Sequence, residues 1–160
     1  MRTQVGIIGA GPAGLMLARL LHLQGISSII IENRSRDYIE NRIRAGLIED
    51  WAADLLIDVG VGERMQAEGM LHWGINIGIN GDLHRIDFKK LVDKRVTIYG
   101  QQEVVKDLVA RRLADGGPLL FEVDGVSVHD VTSPQPKIRF THEGKAQVID
   151  CDFIAGCDGF

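Results

Sequence analysis

The chain has 160 residues, the length of one ordinary domain, and its 45% hydrophobic and 25% charged residues are typical of a globular protein. A net charge of -4 at pH 7 argues against general affinity for nucleic acid or anionic membranes, and no apolar run could span a bilayer. Two cysteines are too few for a disulfide framework or a cysteine-based zinc site. We therefore expect a cytoplasmic protein with no metal, no nucleic-acid partner and no membrane segment.

The first part of the chain predicts a βαβ unit. A short β-branched run at residues 3–9 predicts a strand, and the leucine-rich residues 12–24 predict a helix that ends at Gly25. Residues 28–32 are continuously apolar up to a final acid, which is typical of a parallel strand covered on both faces. Residues 33–46 then carry four arginines and form a local basic patch.

The remaining residues predict short helices and strands. We predict helices over residues 47–59, 61–67 and 101–114, and strands over residues 73–80, 83–88, 96–99, 119–123, 126–131, 137–142 and 147–154. Asn80-Gly81 is a strong hairpin-turn signal, which makes its two flanking strands antiparallel. The expected fold class is therefore α/β, Rossmann-like, with a parallel sheet and additional antiparallel strands.

Residues 9–14, GAGPAG, form a G-x-G-x-x-G motif between the first predicted strand and helix. Gly9 permits the tight turn, Gly11 lets the backbone approach a pyrophosphate, and Gly14 lets helix and strand pack closely. Glu32, 21 residues after Gly11, ends the second strand, where a carboxylate can accept hydrogen bonds from ribose hydroxyls and repel a 2′-phosphate. We predict a dinucleotide site that favours FAD or NAD over NADP; the alternative is a glycine-rich turn that only packs.

The pattern TQVGIIGAGPAGLMLARLLHLQGI, followed by IIIE, RIRAG and CDFIAGCDGF, closely resembles the FAD-binding part of the group A flavoprotein aromatic hydroxylases. This resemblance implies an FAD enzyme that takes hydride from NADPH, with NADH as the alternative, and transfers one oxygen atom of O2 to a ring carbon ortho to a phenol hydroxyl. The segments DYIENRIRAGLIE, MLHWG and TIYGQQEV are most similar to members that convert 4-hydroxybenzoate to 3,4-dihydroxybenzoate.

The resemblance also implies roles for individual residues in cofactor binding. Ala13 and Gly11 would lie at the FAD pyrophosphate, Glu32 on the adenosine ribose, and residues 42–47 along the flavin. The full set of implied cofactor-binding residues is Gly9, Gly11, Ala13, Gly14, Glu32, Arg42, Ile43, Arg44, Ala45, Gly46, Leu47, Gln102 and Asp158. The alternatives are a solvated charged face for the two arginines and an ordinary turn for Asp158-Gly159.

Four further roles follow from the same resemblance. Arg34 and Tyr38 lie where family members recognise the 2′-phosphate of NADPH, and Arg44 would face both FAD and NADPH. His72 matches a position associated with proton relay between the substrate phenol and solvent, a task that suits imidazole because it titrates near neutrality. The alternative for His72 is a structural or exposed histidine.

The apolar run and the turn-like GCDG that precede Phe160 suggest that the chain is the N-terminal portion of a longer protein. We expect residues 1–160 to be part of an FAD-binding domain, truncated before the substrate domain and inactive alone. The expected partners of the whole protein are a small aromatic acid and O2, with a homodimer left open. Two alternatives remain: a related hydroxylase acting on another phenolic or aminobenzoic acid, and a non-catalytic dinucleotide-binding module.

Overall fold

The structure is a computed structural model that describes residues 1–159. The expected domain end at Phe160 lies outside these residues. The chain divides into two compact units, a first unit formed by Met1–Arg42 with Val105–Phe160 and a second unit formed by Ile43–Val104. Within the described part of the chain, no helix is long and apolar enough to cross a membrane.

Strands and helices alternate from Val5 to Asp58, and five strands in succession follow the last helix. The helices are α1 (Pro12–Leu23), α2 (Arg36–Asn41), α3 (Asp50–Asp58), α4 (Glu63–Glu68), α5 (Phe88–Val92) and α6 (Gln101–Ala114). The strands are β1 (Val5–Ile8), β2 (Ser28–Ile31), β3 (Leu47–Glu49), β4 (Met70–His72), β5 (Gly74–Ile79), β6 (Asp82–Asp87), β7 (Val96–Ile98), β8 (Leu119–Leu120), β9 (Asp124–His129), β10 (Lys137–His142), β11 (Lys145–Asp150) and β12 (Phe153–Gly156).

A four-stranded parallel sheet forms the centre of the first unit, in the order β12-β1-β2-β8. All four residues of β2 are buried, as the continuous apolar run predicts for a parallel strand covered on both faces. Helix α1 connects β1 to β2 and buries Gly14, Leu15 and Ala18. The predicted βαβ unit is therefore confirmed.

An antiparallel sheet, β11-β10-β9, packs with the parallel sheet around one apolar core in the first unit. Ile29 and Ile31 of β2 share this core with Ile138, Phe140 and Ile149. Fully burying one such side chain stabilises a fold by about 1.5–3 kcal/mol, so this cluster is a main source of stability for the unit.

The predicted single strand over residues 147–154 is wrong, because the chain changes sheets there. β11 ends at Asp150 in the antiparallel sheet, and β12 begins at Phe153 beside β1 in the parallel sheet. Between the two strands, the Cys151 N–H donates to the Pro136 carbonyl at 3.0 Å, and the Asp152 N–H donates to the Gln4 carbonyl at 3.0 Å. These two bonds to different segments turn the chain from one sheet into the other.

The second unit contains a three-stranded antiparallel sheet, β3-β7-β4, and the β5-β6 hairpin. The predicted Asn80-Gly81 turn is confirmed, with positive φ angles of 51° and 92° at its two residues. The predicted helix over residues 47–59 is wrong at its start, because Leu47–Glu49 pairs with β7 and the helix begins only at Asp50. The sequence pattern also did not predict α2, β4 or α5.

Candidate functional site

The glycine motif forms a tight turn between β1 and α1, and its three glycines meet different surroundings. Gly9 has φ +107°, and a Cβ there would lie 2.3 Å from the Cys157 carbonyl oxygen. A Cβ on Gly14 would lie 2.1 Å from the Gly9 carbonyl oxygen, so Gly9 and Gly14 are needed for packing within the protein. A Cβ on Gly11 would meet nothing within 4 Å, so the backbone at Gly11 is open to a ligand.

Gly11 also precedes the first residue of α1, and no side chain among residues 1–159 caps that helix. Pro12 occupies the first turn, where its missing N–H costs nothing, and Ala13 is exposed. The N-terminal N–H groups of a helix carry partial positive charge and bind phosphate oxygens well. The open backbone and the uncapped helix start are thus adjacent along the chain.

Glu32 follows β2 with its side chain almost fully buried beside the glycine turn. Its Oε2 accepts a hydrogen bond from the Ala10 N–H at 2.8 Å, and its Oε1 accepts one from the Arg34 N–H at 2.8 Å. The carboxylate therefore joins the glycine turn to the segment that leads into α2. Because each carboxylate oxygen can accept more than one hydrogen bond, Glu32 keeps acceptor capacity for ligand hydroxyls.

The segment after Glu32 places two arginines around one aromatic ring. Ser35 caps α2 by accepting the Tyr38 N–H at 3.2 Å. The guanidinium carbons of Arg34 and Arg42 lie 5.2 Å and 5.7 Å from the centroid of the Tyr38 ring, within the range of cation–π attraction. All three side chains are exposed, so they form an accessible positive surface rather than part of the core.

Asp158 lies in the loop after β12, and the strand pairing brings this loop to the glycine turn. The Cys157 N–H donates to the Ile8 carbonyl at 2.7 Å, and a Cβ on Gly9 would lie 2.9 Å from the Asp158 nitrogen. The Asp158 side chain is exposed. Burial raises the pKa of the neighbouring Cys157 thiol, and the Asp158 charge acts in the same direction, so the thiol is neutral at pH 7.

In the second unit, the loop that contains Arg44 is held by the segment that leads into α6. The Gly46 carbonyl accepts the Tyr99 N–H at 2.8 Å, and the Ala45 carbonyl accepts the Gln101 N–H at 3.1 Å. With its backbone held, the loop exposes Ile43, which is 84% accessible, and Arg44. These side chains are free to contact a ligand or another part of the protein.

Gln102 lies in the first turn of α6 and carries a buried amide oxygen. Its Oε1 has no hydrogen-bond partner among the residues that the structure describes. A buried carbonyl without a donor costs about 1–3 kcal/mol, so such an atom is a natural acceptor for a ligand N–H or O–H. This unsatisfied acceptor fits the cofactor contact that the resemblance implies for Gln102.

His72 lies apart from the loop of residues 43–47 within the same sheet. Leu47 pairs with Ile98 of β7, whereas His72 pairs with Val96 on the other side of that strand. His72 is exposed on the edge strand β4. Within the second unit, residues 43–47 therefore lie beside residues 99–102, which include Gln102, whereas His72 lies beside Val96 at the opposite end of β7.

Sequence reasoning did not identify Gly100 or the bracing contacts of Glu32. A Cβ on Gly100 would lie 2.4 Å from Gln102 Nε2, and one on Gly46 would lie 3.2 Å from the Gly100 Cα. The available signal was a glycine directly before a predicted helix that begins with two glutamines. That pattern alone does not show which neighbour requires the glycine.

Comparison with known proteins agrees with this geometry. Residues 2–160 match the family model described as FAD binding domain. The p-hydroxybenzoate hydroxylase of Acinetobacter baylyi is 46% identical over 161 residues, which cover 100% of this chain and 40% of that protein. The 12-dehydrotetracycline 5-monooxygenase/anhydrotetracycline 6-monooxygenase of Streptomyces rimosus is 28% identical, with 99% of this chain and 31% of that protein covered.

The solved structures give the same result for the fold. The OxyS anhydrotetracycline hydroxylase from Streptomyces rimosus superposes with a TM-score of 0.81 at 27% identity, covering 99% of this chain and 32% of that one. The expected α/β FAD-binding fold is thereby confirmed. The chain spans 40% or less of the length of these curated relatives. The open glycine turn, the buried acid that follows β2 and the match across residues 2–160 together show that the chain belongs to the FAD binding domain family.

Proposed function

We propose that the first unit binds the adenosine and pyrophosphate parts of FAD. The observation that carries this proposal is the open backbone at Gly11, directly before the uncapped start of α1. Gly11 and Ala13 would offer backbone N–H groups to the pyrophosphate, and Glu32 would accept hydrogen bonds from the adenosine ribose hydroxyls. Gly9 and Gly14 would keep the turn in the shape that leaves this backbone accessible.

Further residues would contact the flavin end of the cofactor. Residues 42–47 would lie along the flavin, and Gln102 Oε1 would accept a hydrogen bond from a cofactor donor. Arg44, which is exposed, would present its guanidinium to the phosphates of FAD and of the incoming nicotinamide dinucleotide. When bound, FAD supplies the redox chemistry and the activation of O2, whereas the protein binds and orients the reactants.

For the whole protein, we propose hydroxylation of 4-hydroxybenzoate at the 3-position, using NADPH and O2. The support is 46% identity across the chain to a p-hydroxybenzoate hydroxylase. Arg34 and Tyr38 would recognise the 2′-phosphate of NADPH, because the exposed guanidinium beside the ring suits a phosphate. His72, being exposed, would exchange the phenol proton with solvent. We also propose that the protein is cytoplasmic, because a reducing compartment suits the free thiols of Cys151 and Cys157.

Spectroscopy and a coenzyme assay on the full-length protein test this function. The purified protein should be yellow and should release flavin on denaturation. NADPH oxidation should rise on addition of 4-hydroxybenzoate, with 3,4-dihydroxybenzoate as the product, and NADH should support a slower reaction. Colourless protein that FAD cannot reconstitute would contradict the proposal.

Two alternatives have their own outcomes in the same assay. Stimulation by salicylate or an aminobenzoate, but not by 4-hydroxybenzoate, would identify a related hydroxylase with a different substrate. FAD binding without NADPH oxidation in the presence of any phenolic acid would identify a dinucleotide-binding module without catalysis.

A further inference from the structure

Gly100 lies where the backbone of the Arg44 loop meets the start of α6. Gly100 precedes the first residue of α6, and its carbonyl accepts the Val104 N–H at 3.2 Å, which makes Gly100 the N-cap residue of that helix. The backbone of residues 43–47 passes close to Gly100, since a Cβ on Gly46 would come 3.2 Å from the Gly100 Cα. The loop and the helix start are therefore in close backbone contact at this position.

The side chain of Gln102 occupies the space that a Cβ on Gly100 would need. The three nearest atoms to such a Cβ are Gln102 Nε2 at 2.4 Å, Cδ at 2.8 Å and Oε1 at 2.8 Å. The amide of Gln102 thus folds back across the Gly100 backbone. Its Oε1 is the buried oxygen that has no donor within residues 1–159.

The backbone conformation does not explain why position 100 is a glycine. Gly100 is outside the set of glycines with positive φ, so an alanine could adopt the same backbone angles. The atoms that a Cβ would displace belong to the end of a flexible side chain, and moving them costs little. Glycine is therefore required at position 100 because the Gln102 amide occupies the space that a Cβ would fill.

We propose that Gly100 is a positioning residue that leaves room for the Gln102 amide to fold back over the helix start, with Oε1 presented as an acceptor for an O–H or N–H donor of the cofactor. This inference rests on the proposed function, because the donor belongs to FAD. Substitution of Gly100 should weaken cofactor binding without unfolding the protein.

A double-mutant cycle in the full-length protein tests the proposal. The variants are Gly100→Ala, Gln102→Ala and the two combined, and the readouts are the FAD dissociation constant of the apoprotein, by flavin fluorescence, and its thermal midpoint without FAD. Each single variant should weaken FAD binding about fivefold, the loss of one hydrogen bond. The combined variant should be no weaker than Gln102→Ala alone, because the side chain that Gly100 accommodates is already absent.

Gly100→Ser separates positioning from helix capping. Serine is a better N-cap residue than alanine, so Gly100→Ser should keep the thermal midpoint of the apoprotein. It should still weaken FAD binding, because it also carries a Cβ. Wild-type FAD affinity in Gly100→Ala, or recovery of that affinity in Gly100→Ser, would overturn the proposal.

Two other results separate this inference from the proposed function. If the wild-type protein binds no FAD, the proposed function itself fails. If the wild type binds FAD but Gly100→Ala reduces the affinity of Gln102→Ala by a further fivefold, FAD binding stands and the positioning role of Gly100 is overturned.

Discussion

At the scale of single residues, the carboxylate of Glu32 has two partners within the protein. Both of its oxygens accept backbone N–H groups, one from Ala10 in the glycine turn and one from Arg34. From the sequence, the roles expected for this acid concern the ligand alone: it accepts hydrogen bonds from the ribose and repels a 2′-phosphate. The structure adds a role within the protein, because the same carboxylate holds the glycine turn in place before any ligand arrives.

Replacing Glu32 with glutamine should therefore affect both the protein and its cofactor affinity. The NH2 group of glutamine cannot accept a hydrogen bond, so one of the two backbone N–H groups, of Ala10 or of Arg34, loses its acceptor. We expect a loss of about 1–3 kcal/mol in the free energy of unfolding of the apoprotein, together with weaker FAD binding. Urea unfolding and FAD titration measure the two effects separately.

Glu40→Gln is the matched control for this prediction. Glu40 pairs with exposed Arg36 within α2, and surface pairs of this kind contribute about 0.2–1 kcal/mol. Its substitution should leave FAD affinity unchanged. If Glu32→Gln lowered FAD affinity at full apoprotein stability, the bonds to Ala10 and Arg34 would contribute nothing to folding.

Arg44 provides a second test at this scale. Arg44→Lys keeps the positive charge but replaces a planar fork of donors with a single ammonium, which cannot serve two phosphate-bearing ligands as well. We expect weaker FAD retention and a higher KM for NADPH, with a difference that shrinks at high salt as exposed charges are screened. Steady-state kinetics at low and high ionic strength measure this.

Arg36→Lys is the control for Arg44, because Arg36 is exposed and already paired with Glu40. It should change neither parameter. Wild-type kinetics for Arg44→Lys at low salt would contradict this role and would mean that the arginines of residues 34–44 form only a solvated surface.

At the scale of elements, one carboxylate joins the ends of two helices in the first unit. Asp115 follows α6 and has a side chain that is only 5% accessible. It accepts hydrogen bonds from Arg19 of α1 at 2.9 Å and from Arg111 of α6, and His22 lies 3.6 Å away. The hydrogen bond from Arg111 is the main cause of a pKa below the usual value for Asp115.

This depressed pKa predicts how stability changes in acid. A carboxyl whose pKa is lower in the folded state stabilises the fold at pH values above its unfolded pKa, about 3.9, and loses that contribution as the pH falls through the folded pKa. Asp115→Asn should therefore be less stable than the wild type at pH 7 and should lose less stability on acidification. Urea midpoints at pH 7 and pH 3 measure the difference.

Asp124→Asn is a suitable control, because Asp124 is exposed on β9. It should show the wild-type response to acid. An equal loss of stability on acidification in the wild type and Asp115→Asn would mean that the contacts with Arg19 and Arg111 do not stabilise the folded state.

The elements that could be predicted from sequence are those specified locally. The predicted helix 101–114 matches α6 at both ends, because an amphipathic run stops at a cluster of turn residues. By contrast, β3 exists because Leu47–Glu49 pairs with Val96–Ile98, a contact between distant parts of the chain. The break between β11 and β12 depends in the same way on bonds to Pro136 and Gln4.

The candidate site also has features that could be predicted from local sequence and features that could not. The glycine motif and Glu32 could be located from spacing alone, because each glycine has a mechanical reason at its position. The bracing of Ala10 by Glu32 and the space that Gly100 leaves for Gln102 could not. Both depend on side-chain positions that appear only when the chain is folded.

At the scale of the whole molecule, the second unit exposes many large apolar side chains. They include Ile43, Trp51, Leu83, Leu91 and Val92. Monomeric soluble proteins rarely leave extensive apolar surface uncovered. We expect residues 1–160 expressed alone to bind FAD more weakly than the full-length protein and to bind the dye ANS more strongly. Fluorescence titrations of both proteins measure this, and equal FAD affinities would show that residues 1–160 hold every contact that matters.

The pairing of β1 with β12 has a consequence for how the chain folds. Val5 pairs with Phe153, so β1, an inner strand of the parallel sheet, cannot pair on that side until a strand 148 residues further along the chain has been synthesised. Closing so long a loop costs entropy before any sheet contact repays it, and domains rich in such contacts fold slowly. During synthesis, one edge of β1 stays without its neighbour until residue 156 leaves the ribosome, and an unpaired strand edge is where nascent chains aggregate.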